Sequence, residues 1–138
     1  MPALNFETLA TPLPLKAHSV PVPEFGPEYV AWIAELSADE RDGRLEIAWL
    51  EYQKARGDDS QVGFRSWVVA ACLCTGPERN FVAASHPAIL SPTMLSPELV
   101  RLAVALGPHS SKPVTRMFSK AAEVNALSPE QIEELEKN

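Results

Sequence analysis

The sequence predicts a mainly helical α+β protein: a small single-domain helical bundle with an N-terminal β-hairpin and an extended proline-rich arm. Helix starts recur, with a serine followed closely by a glutamate in residues 37–40, 96–98 and 128–131. Such a serine can accept a hydrogen bond from an N–H group of the first helical turn. Prolines are concentrated instead in the first 27 residues, where each one removes a donor and restricts the preceding residue. With 138 residues, of which 46% are apolar, the chain fits one domain with one core.

The N-terminal region is predicted to avoid helix. Prolines occupy positions 2, 12, 14, 21, 23 and 27, and we interpret residues 1–14 as a flexible arm outside a globular domain of residues 15–138. Residues 15–23 should be extended, with Pro21 and Pro23 tolerated only on an edge strand. Residues 29–36 fit either a second strand or a helix face; the turn residues 25–27 favour a hairpin within residues 15–36.

The rest of the domain, residues 38–138, is predicted to be helical. The first helix spans 38–56 and has five apolar residues at helical spacing, followed by Gly57 as a stop. Those five are Leu45, Ala48, Trp49, Tyr52 and Ala55. Residues 62–74 suit a helix by length, although their β-branched residues would also suit a buried strand. Residues 75–92 should be mostly irregular.

Three further helices are expected near the C-terminus. Residues 97–106 are apolar on most sides, which predicts a buried helix ended by Gly107 and Pro108. Ser111 can cap the next helix, and Ser128 the last. The helix after Ser111 has an apolar face that consists of Val114, Met117, Phe118 and Ala121, with Asn125 beside it. The helix after Ser128 has an apolar face with Ile132 and Leu135.

Composition and charge argue against several classes of partner. The net charge is −6 and the pI is about 5.0, so the chain should repel nucleic acid on average. The N-terminus has no secretory signal, and no stretch reaches the roughly 20 apolar residues of a membrane span. We therefore expect a protein that stays in the cytoplasm and contacts neither nucleic acid nor membrane.

No motif in the sequence predicts catalysis. His86 and His109 adjoin prolines in expected loops, where histidines are usually solvated, and His18 has no predicted partner. The spacing of Cys72 and Cys74 does not suit a shared zinc ion, and two small core residues are the simpler interpretation. The six glycines are isolated and form no phosphate-binding loop. We expect no enzyme, no cofactor, no metal and no small-molecule substrate.

The aromatic residues are the candidates for contact with a partner protein. Trp32, Trp49 and Trp67 each lie in an apolar segment and are interpreted first as core. Among the aromatic residues, Phe25 is the one expected to be exposed, because it lies in a turn flanked by prolines, and an exposed aromatic can anchor a partner. Packing of Phe25 under its own hairpin is the alternative. The predicted contact residues are Phe25, Trp32, Trp49 and Phe118.

The order of short segments resembles that of a known family. Val-Pro-Val-Pro-Glu-Phe-Gly (20–26) is followed by Leu-Ser-Ala-Asp-Glu-Arg-Asp (36–42) and an aromatic-rich helix. Phe64-Arg65, residues 68–74, residues 118–128 and the ending Ile-Glu-Glu-Leu-Glu-Lys-Asn come later. This order resembles the tail assembly chaperones of siphovirus-type (long-tailed) phages and prophages, over roughly residues 18–138. The turn at 75–80 departs from the family pattern, with a threonine where aspartate is common, and residues 85–96 are unusually rich in proline.

The resemblance implies a role in tail morphogenesis in the host bacterial cytoplasm. Such a chaperone binds the tape measure protein, keeps it soluble, helps recruit tail-tube subunits and is absent from the mature virion. It leaves open a homo-oligomer and a longer product made by a −1 ribosomal frameshift, which the ending Glu-Lys-Asn can encode. Two alternatives are a structural head-to-tail connector or tail terminator, and a non-phage acidic adaptor protein.

Overall fold

The computed structural model describes residues 3–11, 13–56, 62–83, 97–109 and 111–137. In this part of the chain, the structure has six helices and a three-stranded antiparallel sheet, which confirms the predicted mainly α, α+β class. The strands are β1 (Ala17–Pro21), β2 (Val30–Ala34) and β3 (Leu73–Cys74). The helices are α1 (Phe6–Ala10), α2 (residues 38–56), α3 (Phe64–Cys72), α4 (Pro97–Leu106), α5 (Ser111–Val124) and α6 (Pro129–Lys137).

The N-terminal hairpin forms as predicted, so the alternative of a helix over residues 29–36 is excluded. β1 pairs antiparallel with β2, with Val20 opposite Ala31, and β2 pairs on its other side with β3. Strand β1 therefore lies at the edge of the sheet, and Pro21 is its last residue. An edge is where a strand tolerates a residue that lacks an N–H donor.

The prediction that the first 27 residues contain no helix is wrong in two places. Helix α1 lies between two prolines of the sequence, where the Asn5 side chain accepts a hydrogen bond of 2.9 Å from the Thr8 N–H. A 3₁₀ turn spans Pro23–Phe25. Proline is compatible with the first position of a helical turn because the N–H group there needs no partner.

Helix α2 begins at the predicted capping box. The Ser37 hydroxyl accepts from the Glu40 N–H at 3.1 Å, and the Glu40 carboxylate accepts from the Ser37 N–H at 2.8 Å. Its segments are Ala38–Glu40, Arg41–Ile47 and Ala48–Arg56, and the middle one has π-helical geometry that the sequence did not indicate. Of the five expected core residues only Ala55 is exposed. Gly57 lies outside the described residues.

Helix α3 is shorter than predicted. It begins two residues after position 62, and its expected last two residues form β3, because Leu73 adopts an extended backbone (φ −71°, ψ 128°) and pairs with β2. Every residue of α3 except Arg65 is buried, so this helix forms the centre of the domain. Residues 75–83 are irregular as expected, whereas the rest of the predicted irregular stretch lies outside the described residues.

The three C-terminal helices are confirmed with two corrections. Helix α4 buries only Leu99, Ala103 and Leu106, so the expected burial on most sides is wrong. The reason is that α4 packs against α3 through one face. Ser111 is the first residue of α5 and does not precede it as a cap. Ser128 and Gln131 form the expected reciprocal pair at α6, with hydrogen bonds of 2.9 and 3.1 Å; the predicted cap at Ser96 lies outside the described residues.

The core contains a cluster of aromatic rings between α2, α3 and α5. The ring centroid of Trp49 lies 5.7 Å from the ring centroid of Trp67 and 5.5 Å from that of Phe64. The rings of Tyr52 and Trp67 stack at 5.5 Å, and Phe64 meets Phe118 edge to face at 6.4 Å. These contacts join three helices whose positions fix the hairpin packed beside them.

Candidate partner-binding surface

The turn of the N-terminal hairpin exposes large apolar side chains. Phe25, Tyr29 and Val30 have exposed fractions of 41%, 63% and 46%. Trp32 is half-buried and lies on the same face of β2 as Val30, since alternate residues of a strand share a face. We call these four residues the tip surface. An exposed apolar cluster of this kind is typical of a protein–protein contact site.

Backbone hydrogen bonds give the turn a defined shape. The Phe25 N–H donates to the Val22 carbonyl at 3.1 Å, and the Tyr29 N–H donates to the Gly26 carbonyl at 3.1 Å. Gly26 has a φ of +139°, which side-chain-bearing residues rarely adopt. A Cβ atom at this position would lie 2.7 Å from Cδ2 of Tyr29. Glycine at residue 26 thus permits both the turn and the placement of the Tyr29 ring.

Side chains from the helical part of the domain hold the turn in place. Arg116 of α5 binds both carboxylate oxygens of Glu24, at 2.9 and 2.8 Å, and also donates to the Pro21 carbonyl at 3.0 Å. The ring of His109, from the connection between α4 and α5, meets the Phe25 ring edge to face at 5.0 Å. The tip surface is therefore preorganised, which reduces the entropy lost when a partner binds.

The contact between Glu24 and Arg116 should depend on pH. The hydrogen bonds from Arg116 lower the pKa of Glu24 from 4.5 to about 2. A depressed pKa means that the contact stabilises the fold fully above the unfolded-state pKa and that this contribution is lost as pH falls from about 4.5 through about 2. In an NMR titration of side-chain carboxyl carbons, Glu24 should keep its charge well below pH 4. In Arg116→Gln its pKa should rise toward the ordinary value, and an unchanged titration would contradict the assignment.

Two of the four predicted contact residues are placed on the tip surface, and two are not. Phe25 and Trp32 belong to it, whereas Trp49 and Phe118 have exposed fractions of only 3% and 8%. The Trp49 indole N–H also donates to the Leu135 carbonyl at 3.0 Å, so its polar atom is already satisfied within the chain. We therefore assign Trp49 and Phe118 to the core, where a docking partner would not reach them.

Sequence reasoning missed other exposed apolar residues. Tyr29 and Val30 were counted only as strand or helix formers, yet they are the most exposed members of the tip surface. Their position beside the Phe-Gly-Pro turn could have indicated this exposure, because residues next to a hairpin turn lie at the end of the sheet, beyond the side chains that cover it. A second exposed group consists of Leu4, Phe6, Leu9 and Leu13, which we call the arm surface.

The candidate reactive groups are engaged in structural contacts. His18 Nε2 lies 2.6 Å from a Glu35 carboxylate oxygen, and His86 lies outside the described residues. Burial raises the pKa of Cys72 to about 12 and also raises that of Cys74, which keeps both thiols protonated and poorly nucleophilic. Within the described ranges, no three His, Cys, Asp or Glu side chains are grouped as metal ligands.

Comparisons of the chain with models of known families, with curated proteins and with solved structures give no match. For the residues that the structure describes, no helix combines the length and apolar character needed to cross a bilayer. The tip surface and the order of sequence segments are therefore the features that bear on function.

Proposed function

We propose that this chain is a phage tail assembly chaperone that binds the tape measure protein through the tip surface. In this role it keeps the tape measure protein soluble, helps to recruit tail-tube subunits and leaves before the virion is complete. The observation that carries the proposal is the cluster of Phe25, Tyr29 and Val30, which remains exposed on a turn that other side chains hold in place. The resemblance of segment order to the chaperone family supplies the identity of the partner.

The chemistry of the tip surface suits a partner with helical apolar faces. Two aromatic rings and a valine offer exposed apolar area, and aromatic side chains are enriched among the residues that dominate binding energy. A long helical protein exposes apolar stripes until the tail tube encloses it, and such stripes aggregate unless they are covered. A small protein that presents an exposed apolar turn can cover part of such a stripe.

The charge of the chain supports the same role. Its net charge is −6, and a net charge far from zero keeps a protein and its complexes soluble. The carboxylate of Glu24, the residue before Phe25, is paired with Arg116. The tip surface can therefore meet an apolar partner without an unpaired charge at this position, while the acidic surface elsewhere opposes aggregation.

The proposal predicts the effect of Phe25→Ser combined with Tyr29→Ser. Fully burying one such side chain contributes about 1.5–3 kcal/mol. Because both side chains are already partly covered in the free chain, each contributes less than this on binding. Loss of the two together should still weaken binding at least about tenfold. The chain should be co-expressed with the tape measure protein, and the soluble fraction of the tape measure protein measured. The double variant should lose most of the solubilising effect.

A matched control removes exposed apolar area elsewhere. Val82 and Val104 are exposed outside the tip surface, and Val82→Ser with Val104→Ser should leave the soluble fraction near that of the unchanged protein. Circular dichroism should show both double variants folded. Equal loss in the two variants would count against the tip surface, and mass-spectrometric detection of the chain as a stoichiometric part of purified virions would refute the chaperone role.

A further inference from the structure

In the described part of the chain, β1 pairs with β2 on one side, and its other edge is open. Just outside β1, the Glu35 N–H donates to the Lys16 carbonyl at 2.8 Å, and the Val22 N–H donates to the Tyr29 carbonyl at 3.1 Å. These two bonds show which residues of β1 bond to β2, because successive residues of an antiparallel strand direct their backbone groups to opposite sides. The even-numbered residues bond to β2, and the odd-numbered residues direct their N–H and carbonyl groups to the open edge.

The open backbone groups belong to Ala17 and Ser19. Ser19 is exposed and Ala17 is half-buried, and within the described ranges no other element forms a hydrogen bond with the backbone of either residue. Pro21, the next odd-numbered residue, has no N–H, and its carbonyl already accepts from Arg116 at 3.0 Å. The open stretch therefore ends at Pro21. An extended segment that pairs here antiparallel would bond to both the N–H and the carbonyl of Ala17 and of Ser19.

The side chains beside the edge favour an aromatic residue in the added segment. Ser19 lies directly opposite Trp32 in the pairing of β1 with β2, and directly opposite residues share one face of a sheet. On this face the serine is small and exposed, and the Trp32 ring is half-buried. Two strand spacings of about 4.8 Å separate the added segment from β2. An aromatic side chain opposite Ser19 would therefore lie across the serine and contact the tryptophan ring.

The charge beside the edge favours an acidic residue at a second position. Lys16 immediately precedes β1, is exposed, and is in no ion pair within the part of the chain that the structure describes. In an antiparallel pairing, the residue three positions after the one opposite Ser19 comes opposite Lys16, where a carboxylate would pair with the lysine. His18, which lies between them, is already 2.6 Å from a Glu35 carboxylate oxygen and needs no partner from the added segment.

We propose that the open edge of β1 binds an extended segment of a partner protein, with an aromatic residue opposite Ser19 and an acidic residue opposite Lys16. The segment becomes a fourth strand of the sheet, beside the tip surface. A second copy of this chain suits the edge less well, because the register that uses all the open groups places Ala17 opposite Ser19 and leaves Trp32 uncovered. The inference does not depend on the proposed function. In a chaperone, this edge would add contact with an extended part of a partner.

A synthetic peptide with blocked ends, Thr-Thr-Phe-Thr-Val-Glu-Thr, tests the proposal on the full chain. Amide NMR should show shifts of the Ala17 and Ser19 signals with a Kd below about 1 mM, and both amides should exchange with deuterium more slowly in the complex. Replacing the phenylalanine of the peptide by serine should weaken binding at least about tenfold. Replacing its glutamate by glutamine should weaken binding about twofold or more, as expected for an exposed ion pair.

Two substitutions at one position separate backbone pairing from side-chain contact. Ser19→Pro removes one open N–H group, and an edge strand tolerates proline where that group faces outward. The affinity for the peptide should fall at least about tenfold, whereas Ser19→Ala keeps both backbone groups and should leave the affinity unchanged. If circular dichroism shows that Ser19→Pro does not fold, Ser19→Asp replaces it, because a carboxylate would then occupy the place of the phenylalanine ring and weaken binding to a similar extent.

The tip-surface variant provides the control that separates the two proposals. Phe25→Ser with Tyr29→Ser should leave the affinity for the peptide unchanged, so either proposal can fail alone. The edge proposal would be overturned if the Ala17 and Ser19 signals did not shift at peptide concentrations up to about 5 mM, or if Ser19→Pro or its substitute bound the peptide as well as Ser19→Ala. Loss of binding in the tip-surface variant would overturn it by placing the peptide on the tip. Protection of both amides that rises with protein concentration alone would overturn it by assigning the edge to a second copy.

Discussion

Replacing Trp67 by alanine is expected to lower the free energy of unfolding by about 4 kcal/mol, the typical loss when a fully buried tryptophan is truncated. Trp67 has no solvent exposure, and its ring packs against those of Trp49 and Tyr52, with ring centroids 5.7 and 5.5 Å apart. Its indole N–H donates to the Leu45 carbonyl at 3.3 Å, which joins α3 to the π-helical part of α2. Urea denaturation followed by circular dichroism would measure the loss.

Two further variants separate the contributions of the Trp67 side chain. Trp67→Phe keeps most of the ring packing but leaves the Leu45 carbonyl without this donor, so a smaller loss of about 1–2 kcal/mol is expected. Trp32→Phe changes a half-buried ring on the tip surface and should cost less than about 1 kcal/mol. A loss below about 2 kcal/mol for Trp67→Ala would show that the aromatic cluster is not the main support of the fold.

The sequence predicted those elements whose signals are local. The capping pairs at Ser37 and Ser128 involve residues three positions apart, so the same atoms that suggested them make the hydrogen bonds. The hairpin was also predictable, because Gly26 and its neighbouring prolines specify a turn whatever lies beside it. In each case the deciding interaction is made within a few residues of the chain.

Other features depend on contacts between distant residues and were not predictable from pattern. Trp49 and Phe118 were expected to contact a partner, and only the arrangement of α2, α3 and α5 decides that both are enclosed, whereas the exposure of Phe25 follows from its turn. The strand β3 depends similarly on pairing with β2, which overrides the helical tendency of Leu73 and Cys74. Exposure at the candidate site is therefore a property of the tertiary fold.

The tip and arm surfaces differ in how they are supported, and this difference suggests different roles. The tip is held by Arg116 and by the ring of His109, so its shape exists before a partner arrives. Helix α1 has no buried residue, and within the part of the chain that the structure describes its side-chain support is the Asn5 cap. A preformed surface loses less conformational entropy on binding than a segment without such support.

A buried asparagine, Asn125, joins the hairpin to α5. The sequence pattern indicated only that this residue lies beside the apolar face of a helix. The Asn125 amide oxygen accepts from the Leu36 N–H at 2.7 Å. Its amide nitrogen donates to the carbonyls of Ala34 and Ala121, both at 3.1 Å. One side chain thereby satisfies backbone groups just after β2 and at the end of α5, two segments separated by about ninety positions in the sequence.

Asn125→Leu should lower the free energy of unfolding by about 3 kcal/mol, because a leucine of similar size leaves the buried Ala34 carbonyl and the partly buried Leu36 N–H without this partner, at about 1–3 kcal/mol for each group. Thermal and urea denaturation would measure the loss.

Asn125→Asp provides the informative comparison, since it retains the acceptor for Leu36 but loses both donors and places a carboxylate near two carbonyl oxygens. Its stability should therefore recover as pH falls and the carboxylic acid regains a donor. Gln131→Ala, an exposed change that also removes hydrogen bonds, should cost less than about 1 kcal/mol. If Asn125→Leu costs no more than Gln131→Ala, the hairpin is held by apolar packing alone, and the position of the tip surface does not depend on this side chain.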